Sequence, residues 1–372
     1  MGNLAAYYIA DLHCDSVIQM RRGYDLALRH RDYQVDIPRM RDGGVGLQVF
    51  ACALRACEIK NDPSATANEM LDVLHAAIEK NPDSLGLCRS FADANRLRAS
   101  GHVAAMLALE GGYPLESKPE RLEHFHRRGV RLMTLAHQLP TGWCTSWNQP
   151  GEPSDGLTDI GREIIAEMNR LGIIVDISHC SRHTFWQVLE AASKPTIASH
   201  SCADKLSPTE RNLDDDQIRA IAEVGGVIGV TFIHFTLRPD IKAKLDEFWG
   251  SHKDAGDELY ELFGSTIPEA EKQERWNRHA KLWVEHDRYL ADVLPGIKEV
   301  ADHVDYLVNV AGVEHVAFGS DFDGVLPLPH GLEDCSKYPD LIAELEKRGY
   351  SNSDLRKICS ENFLRVLGEV CG

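Results

Sequence analysis

Five residues carry the chemistry that stands out first: His13, Asp15, Glu110, His179 and His200. Imidazole and carboxylate together are the ligand set of zinc and similar divalent ions. His13, Asp15 and Glu110 can serve one ion, and Glu110, His179 and His200 a second, so each ion receives three protein ligands. A hydroxide bridging the two ions would complete a four-coordinate open site and supply a nucleophile at neutral pH. No member of this set is informative alone. An HxD pair is common, a histidine at a strand end usually just hydrogen-bonds, and Glu110 before Gly111-Gly112 can be a turn carboxylate. The weight comes from coincidence. His13, His137, His179 and His200 close four different apolar runs, and Glu110 and Asp321 follow two more.

A scaffold must bring these residues together. The chain contains eight short apolar runs, at 8–13, 45–53, 103–109, 130–136, 173–178, 196–199, 227–232 and 316–319. Most are nearly continuous in apolar residues, the mark of strands buried on both faces in a parallel sheet. Helical patterns lie between them. Residues 159–171 place Ile160, Ile164, Ile165, Met168 and Leu171 on one stripe that Gly172 ends. Pro119 opens a helix carrying Leu122 and Phe125, closed by Gly129. Asp214 caps a helix through Ile218, Ile221 and Ala222, closed by Gly225. Strand and helix in alternation, eight times, predict a (β/α)₈ barrel. An open doubly wound sheet is the alternative, and no GxGxxG follows an early strand to support it. In a barrel the site lies at the C-terminal ends of the strands, where these residues fall. Along a strand alternate side chains share a face, so His13 and Asp15 point to the mouth and Cys14 away from it.

We read residues 1–372 as a single barrel domain with a polar, helix-rich insertion over 238–289, between the seventh and eighth strands. That insertion is either a lid, a subunit contact or a solvated excursion. The remaining histidines are assigned no ligand role. His124 and His126 lie two apart on a helix and do not share a face. His30, His75, His252 and His279 fall in polar segments, and His234, just past the seventh strand, suits a structural or supporting role. Asp176 is a candidate partner for a ligand histidine. Trp143 and Trp147 are candidate pocket walls.

The formal charge of −17, from 40 basic and 57 acidic residues, excludes nucleic acid or an anionic membrane as the main partner, since both need a basic face. Ten cysteines without a CxxC pair read as buried free thiols in a reducing compartment. The N-terminus shows no secretory pattern, and no run approaches the roughly 18 apolar residues of a membrane span. The expectation is a cytoplasmic protein without membrane attachment.

Several segments together resemble the membrane (renal-type) dipeptidases of the amidohydrolase superfamily. They are HCD at 13–15, LEGG at 109–112, TLAH at 134–137, DISH at 176–179, SHS at 199–201, RN at 211–212, SDFDG at 320–324 and ENFLRVL at 361–367. They occur in order and span almost the whole chain. The resemblance implies a binuclear zinc site, with His13 and Asp15 on one ion, His179 and His200 on the other, and Glu110 bridging. It implies that His137 contacts the scissile carbonyl, that Arg211 pairs with the substrate's C-terminal carboxylate, and that Asp321 moves protons between the bridging water and the leaving amine. The substrate it implies is a dipeptide, with a D-residue tolerated at the C-terminal position, and a homodimer is a common assembly for such proteins. A lipid-anchor tail does not carry over, because this chain closes on Val370-Cys371-Gly372. Some relatives perform non-hydrolytic biosynthetic chemistry on the same scaffold. Deaminases and phosphotriesterase-like hydrolases are the competing enzyme class. They usually present HxH on the first strand, where this chain has HxD, and the second often has a lysine on strand four, which ends here in His137. A non-catalytic barrel would have lost ligand types that are all present.

Overall fold

The computed structural model describes residues 7–148, 156–255, 271, 274 and 277–372. Nine strands are described: β1 (Ile9–Cys14), β2 (Val45–Ala53), β3 (Leu85–Cys88), β4 (Val103–Glu110), β5 (Val130–Thr134), β6 (Ile174–Asp176), β7 (Thr196–Ser201), β8 (Ile228–Val230) and β9 (Val316–Phe318). All pairings are parallel. Eight strands close a ring in the order β1-β2-β4-β5-β6-β7-β8-β9, with β9 returning to β1 and β2 bridging to β4. This is the (β/α)₈ barrel that the apolar runs predict. The four-residue β3 is an addition. It pairs only with the first half of β4, Leu85 opposite Val103 and Cys88 opposite Met106, and β5 takes over the same edge at Leu107. LGLC is too short and too bland to announce itself.

Alternate residues of successive strands fill the barrel. Ala10, Leu12, Leu47, Val49, Ala104, Met106, Ala108, Leu132, Ile174, Ile197 and Ala317 form one buried cluster, joined by Phe363 and Leu367 of the C-terminal helix. The intervening residues, among them Ile9, Cys14, Val103, Leu107, Met133, Val175, Ala198 and Phe318, face the helices in a larger cluster. The helix Asp159–Leu171 is capped by Thr158 and stopped by Gly172 at φ 79°. Its Ile164, Ile165 and Met168 are buried, whereas Ile160 is exposed, because it lies in the first turn. The helix after Pro119 begins at Arg121 and buries Leu122 and Phe125. Asp214 caps Asp215–Glu223 by accepting from the Gln217 amide. The insertion appears between β8 and β9 as Pro239–Ser251 and Ala280–Leu290, which pack on each other; its centre lies outside the described residues.

Two register shifts aim ligand-type side chains at the mouth. Asp11 pairs with Gln48 and Cys14 with Phe50, so β1 takes three steps where β2 takes two. Strict alternation after the inward Leu12 would turn His13 away; the extra residue turns it inward. In β7, Ala198 pairs with Ile228 and Ser201 with Val230, again three steps against two. Ala198 faces outward, so alternation alone would send His200 outward as well. The Ser199 carbonyl bulges into space that only glycine leaves open. A Cβ on Gly229 or Gly319 would lie 2.0 Å or 1.8 Å from that oxygen.

Candidate metal centre

Glu110, on the inward face of β4, sits at the middle of the mouth. Its Oε1 lies 3.5 Å from His13 Nε2, 3.1 Å from His179 Nε2, 3.6 Å from His200 Nε2 and 3.7 Å from His137 Nε2. His13 Nε2 is also 3.9 Å from Asp15 Oδ1 and 3.8 Å from Asp321 Oδ1. The structure therefore gathers seven of the eight residues singled out above into one cluster, buried apart from a half-buried His137. Arg211, the eighth, reaches it from the loop after β7. Its Nη2 lies 3.2 Å from His179 Nε2 and donates to the His200 carbonyl at 3.1 Å.

Backbone strain helps to place these groups. His179 and Asp321 adopt φ of 65° and 64°, which costs a side-chain-bearing residue about 1–3 kcal/mol and persists only where the surroundings enforce it. His137 lies three residues beyond the end of β5, in a loop held by Tyr113. The Tyr113 hydroxyl accepts the His137 and Leu139 amides, each at 3.1 Å, and donates to the Leu139 carbonyl. Both glycines after Glu110 are required. A Cβ at Gly111 would strike the Tyr113 ring at 2.2 Å, and one at Gly112 the Trp143 ring at 2.3 Å. Gly324 serves the acids in the same way, since a Cβ there would lie 2.4 Å from both Asp15 Oδ2 and Asp321 Oδ1.

Two buried carboxylates outside the cluster fix its walls. Asp176 accepts the Ser178 and Ser199 amides on Oδ1 and the Thr134 and Ser199 hydroxyls on Oδ2. The Ser199 hydroxyl also lies 2.7 Å from His200 Nδ1. A hydroxyl that donates to Asp176 must accept from His200, so the His200 proton sits on Nδ1 and Nε2 is free for a ligand role. Asp11 repeats the pattern, accepting the His13 and Ser320 amides and the Ser320 hydroxyl. The sequence singles out Asp176 as a candidate histidine partner, and the structure joins it to His200 only through the Ser199 hydroxyl; Asp11, Ser199, Ser320 and Tyr113 are not singled out. The only available signal was an acid two or three residues ahead of a mouth histidine, Asp11 before His13 and Asp176 before His179.

The electrostatics suit cations. Burial raises Asp15 well above the usual carboxylate range, and repulsion from Glu110 and Asp321 adds to it. Burial also raises Asp321, to about 7, with Glu110 and Asp11 adding and His13 and Arg211 opposing. For His13, burial lowers the pKa, but Glu110, Asp321 and Asp15 outweigh it and hold the imidazole at about 10. Burial and the Arg211 charge push His179 well below its usual value, and burial, His13 and Arg211 do so for His200. Several buried polar atoms have no hydrogen-bond partner: both His13 ring nitrogens, Asp15 Oδ1, Glu110 Oε2 and His179 Nδ1. His179 Nε2 and His200 Nε2 face each other at 2.8 Å. Donor atoms of His13, Glu110 and His200, of Glu110, His137 and His179, and of His13, Asp15 and Asp321 converge within 4.8 Å. Crowded acids and unsatisfied nitrogen and oxygen atoms are what divalent cations satisfy, so the residues fit a metal centre.

The cluster floors a cavity of about 380 Å³. Trp147 lines it, with Ile233 and Phe235 from the far side. Trp143 is instead buried beneath the site against Gly112. His234 is buried with neither ring nitrogen bonded and does not line the cavity. His75 and His252 are half-buried rather than solvated, bonded to the Arg128 and Phe248 carbonyls. The nine described cysteines are free thiols, and all but Cys371 are buried.

Residues 4–371 match the model of the membrane dipeptidase family (peptidase family M19). The chain belongs to the membrane dipeptidase family. Among curated proteins it is similar to the dipeptidase aclJ of Aspergillus oryzae, 31% identical over 379 residues that cover 97% of this chain and 78% of that protein. Among solved structures it is similar to the dipeptidase AC, a metallopeptidase, at 26% identity and a TM-score of 0.77, covering 98% of this chain and 99% of the other. A metallopeptidase from Rhodobacter sphaeroides, bound to a phosphinate mimic of the dipeptide L-Ala-D-Ala, matches at 25% identity, a TM-score of 0.77 and the same coverage. As a membrane dipeptidase family member, this chain is a metallo-dipeptidase that hydrolyses peptide bonds. No helix among its described residues is long and apolar enough to cross a membrane.

Proposed function

We propose that the chain is a binuclear zinc dipeptidase, with His13 and Asp15 on one ion, His179 and His200 on the other, and Glu110 shared. The observation that carries this reading is the Glu110 carboxylate, one oxygen of which lies within 3.7 Å of imidazoles from four different strand ends. Two divalent cations held there would polarise the scissile carbonyl and bring a water molecule's pKa towards neutrality. The chain's own residues do the rest. Arg211 is a buried guanidinium with no carboxylate within 4 Å among the described residues, and it receives the C-terminal carboxylate of the dipeptide in a bidentate pair. His137, at the rim, donates to the oxygen that gains charge as water adds to the carbonyl. Asp321, whose carboxylate lies 3.8 Å from His13 Nε2 at the edge of the cluster, takes the proton from the attacking water and passes it to the amine as the C–N bond breaks.

The phosphinate mimic of L-Ala-D-Ala held by the Rhodobacter sphaeroides relative supports tolerance of a C-terminal D-residue here too. The barrel and its 238–289 insertion form one domain, placed in the cytoplasm and able to pair as a homodimer. The test is hydrolysis of L-Xaa-L-Xaa and L-Xaa-D-Xaa dipeptides by zinc-loaded protein against a chelated control, with metal analysis of His179→Ala. Metal-dependent release of free amino acids, and a fall from two ions per chain towards one in the variant, are expected. Two ions bound with no dipeptide cleaved would remove the substrate; an unchanged metal content in the variant would remove His179 as a ligand.

A further inference from the structure

His137 meets the cluster through loose contacts. Its Nε2 lies 3.7 Å from Glu110 Oε1, beyond hydrogen-bond reach, and its ring meets the His179 ring edge-on at 4.6 Å between centroids. Its backbone, by contrast, is gripped on both sides. The Tyr113 hydroxyl accepts the His137 amide, and the Ser146 hydroxyl donates to the His137 carbonyl. The same phenol accepts the Leu139 amide and donates to the Leu139 carbonyl, so its full hydrogen-bonding capacity goes to this one loop. Tyr113 and Ser146 are themselves buried. Each ties His137 to a different part of the metal centre. Tyr113 follows the Glu110-Gly111-Gly112 turn, and its ring fills the space that Gly111 leaves open. Ser146 bridges to Cys180, the residue after His179, and the neighbouring Trp147 amide donates to the His179 carbonyl at 2.9 Å. The loop carrying His137 is thus tied on one side to the end of the Glu110 strand and on the other to the His179 turn.

A donor stabilises a developing negative charge only when it lies about 2.7–3.1 Å from the oxygen that will carry that charge. A displacement of about 1 Å can cost about 10²-fold in rate, even when it arises away from the chemistry. Resting on the reading above, in which His137 donates to that oxygen, we infer that Tyr113 and Ser146 are positioning residues that hold the His137 backbone where its imidazole meets the substrate. Neither side chain lines the cavity, so both act through His137 and not on the substrate itself.

The experiment measures kcat, KM and bound metal on L-Ala-L-Ala for the metal-loaded full chain, for Tyr113→Phe, Ser146→Ala and His137→Ala, and for the double variants that join either of the first two to the third. Rates are taken per bound metal, so partial loss of folded enzyme does not enter them. Tyr113→Phe keeps the ring beside Gly111 and removes only the hydroxyl. It is expected to lower kcat by about 10–100-fold, with KM and metal content nearly unchanged, and Ser146→Ala to do the same to a smaller degree. His137→Ala is expected to lose about 10²–10³-fold in kcat, as removal of one oxyanion donor does. In the double variants the first substitution should add almost nothing, because the imidazole it positions is gone. A merely structural role would instead make the two losses multiply. Multiplying losses, or metal lost in step with kcat, overturn the inference and leave the dipeptidase reading standing; normal kcat in either single hydroxyl variant removes that residue from it. Undiminished kcat in His137→Ala overturns the inference together with the role given to His137, and cleavage of no dipeptide by the unaltered chain overturns the dipeptidase reading as well.

Discussion

The two sides of the metal centre are built alike and charged differently. On the β1/β9 side a buried Asp11 binds the Ser320 amide and hydroxyl; on the β6/β7 side a buried Asp176 binds those of Ser199. Each side carries a register shift in one strand and a left-handed residue, Asp321 or His179. The first side, however, presents Asp15 and Asp321 around one imidazole, whereas the second presents two imidazoles beside a buried arginine. One backbone device thus supplies an anionic half that can move protons and a neutral half that can bind and orient. The serines differ too. Ser199 reaches the His200 ring, but Ser320 reaches only the His13 carbonyl, so one fixes a tautomer and the other only a strand end.

The largest effect should come from the anionic half. Asp321→Asn is expected to keep both ions and to lose about 10²–10⁴-fold in kcat, the usual share of a general acid–base group. Near-normal turnover would show that the anionic half has no proton-transfer duty. On the other half, Arg211→Ala should raise KM for free dipeptides by about 30-fold or more, the scale of the roughly 2–5 kcal/mol lost when one partner of a buried charge pair is removed, and should barely change it for C-terminally amidated ones. An equal change for both would take the substrate carboxylate away from this side.

The paired serines offer a sharper contrast. Ser199→Ala should weaken metal binding by about 10–100-fold, as loss of a ligand's orienting partner does. Ser320→Ala should cost about 1–3 kcal/mol of stability, through unsatisfied Asp11, with metal affinity nearly intact. Equal metal loss in both variants, read by chelator competition, would make the two sides equivalent.

A last contrast between the two sides concerns pH. In metal-free protein His13 keeps its proton up to about pH 10, so an ion on that side must expel it near neutrality. His179 and His200, held below their usual value, are already neutral there. Between pH 7 and 9 the β1-side ion should therefore tighten by up to about tenfold per pH unit from this proton, and the β6/β7-side ion should not. Chelator titration at both pH values should show one class of site moving; two moving together would contradict the charge difference. The same shift acts on the stability of the metal-free chain. A folded pKa above the unfolded 6.5 stabilises fully below pH 6.5, and that contribution is lost as pH rises through about 10.

Much of this was legible in the residues. Continuous apolar runs gave away a parallel barrel because both faces of each strand are buried, and Gly172 and Asp214 marked their helix ends by backbone chemistry that is local. The cluster members could be named because a barrel exposes its strand ends together. β3 escaped because four bland residues carry no period. Ile160 escaped because the stripe it joins does not reach the core in its first turn.

What sequence alone determined is the set of donor types, their order and the scaffold that collects them, since side-chain chemistry and periodicity are properties of the chain. Only the tertiary structure decided that Glu110 stands at the centre, that strand shifts reverse His13 and His200 towards the mouth, and that Arg55 and Arg211 line one cavity. Those are relations between residues distant in sequence, fixed when neighbouring strands choose a register and the ring closes, and a single strand does not encode them.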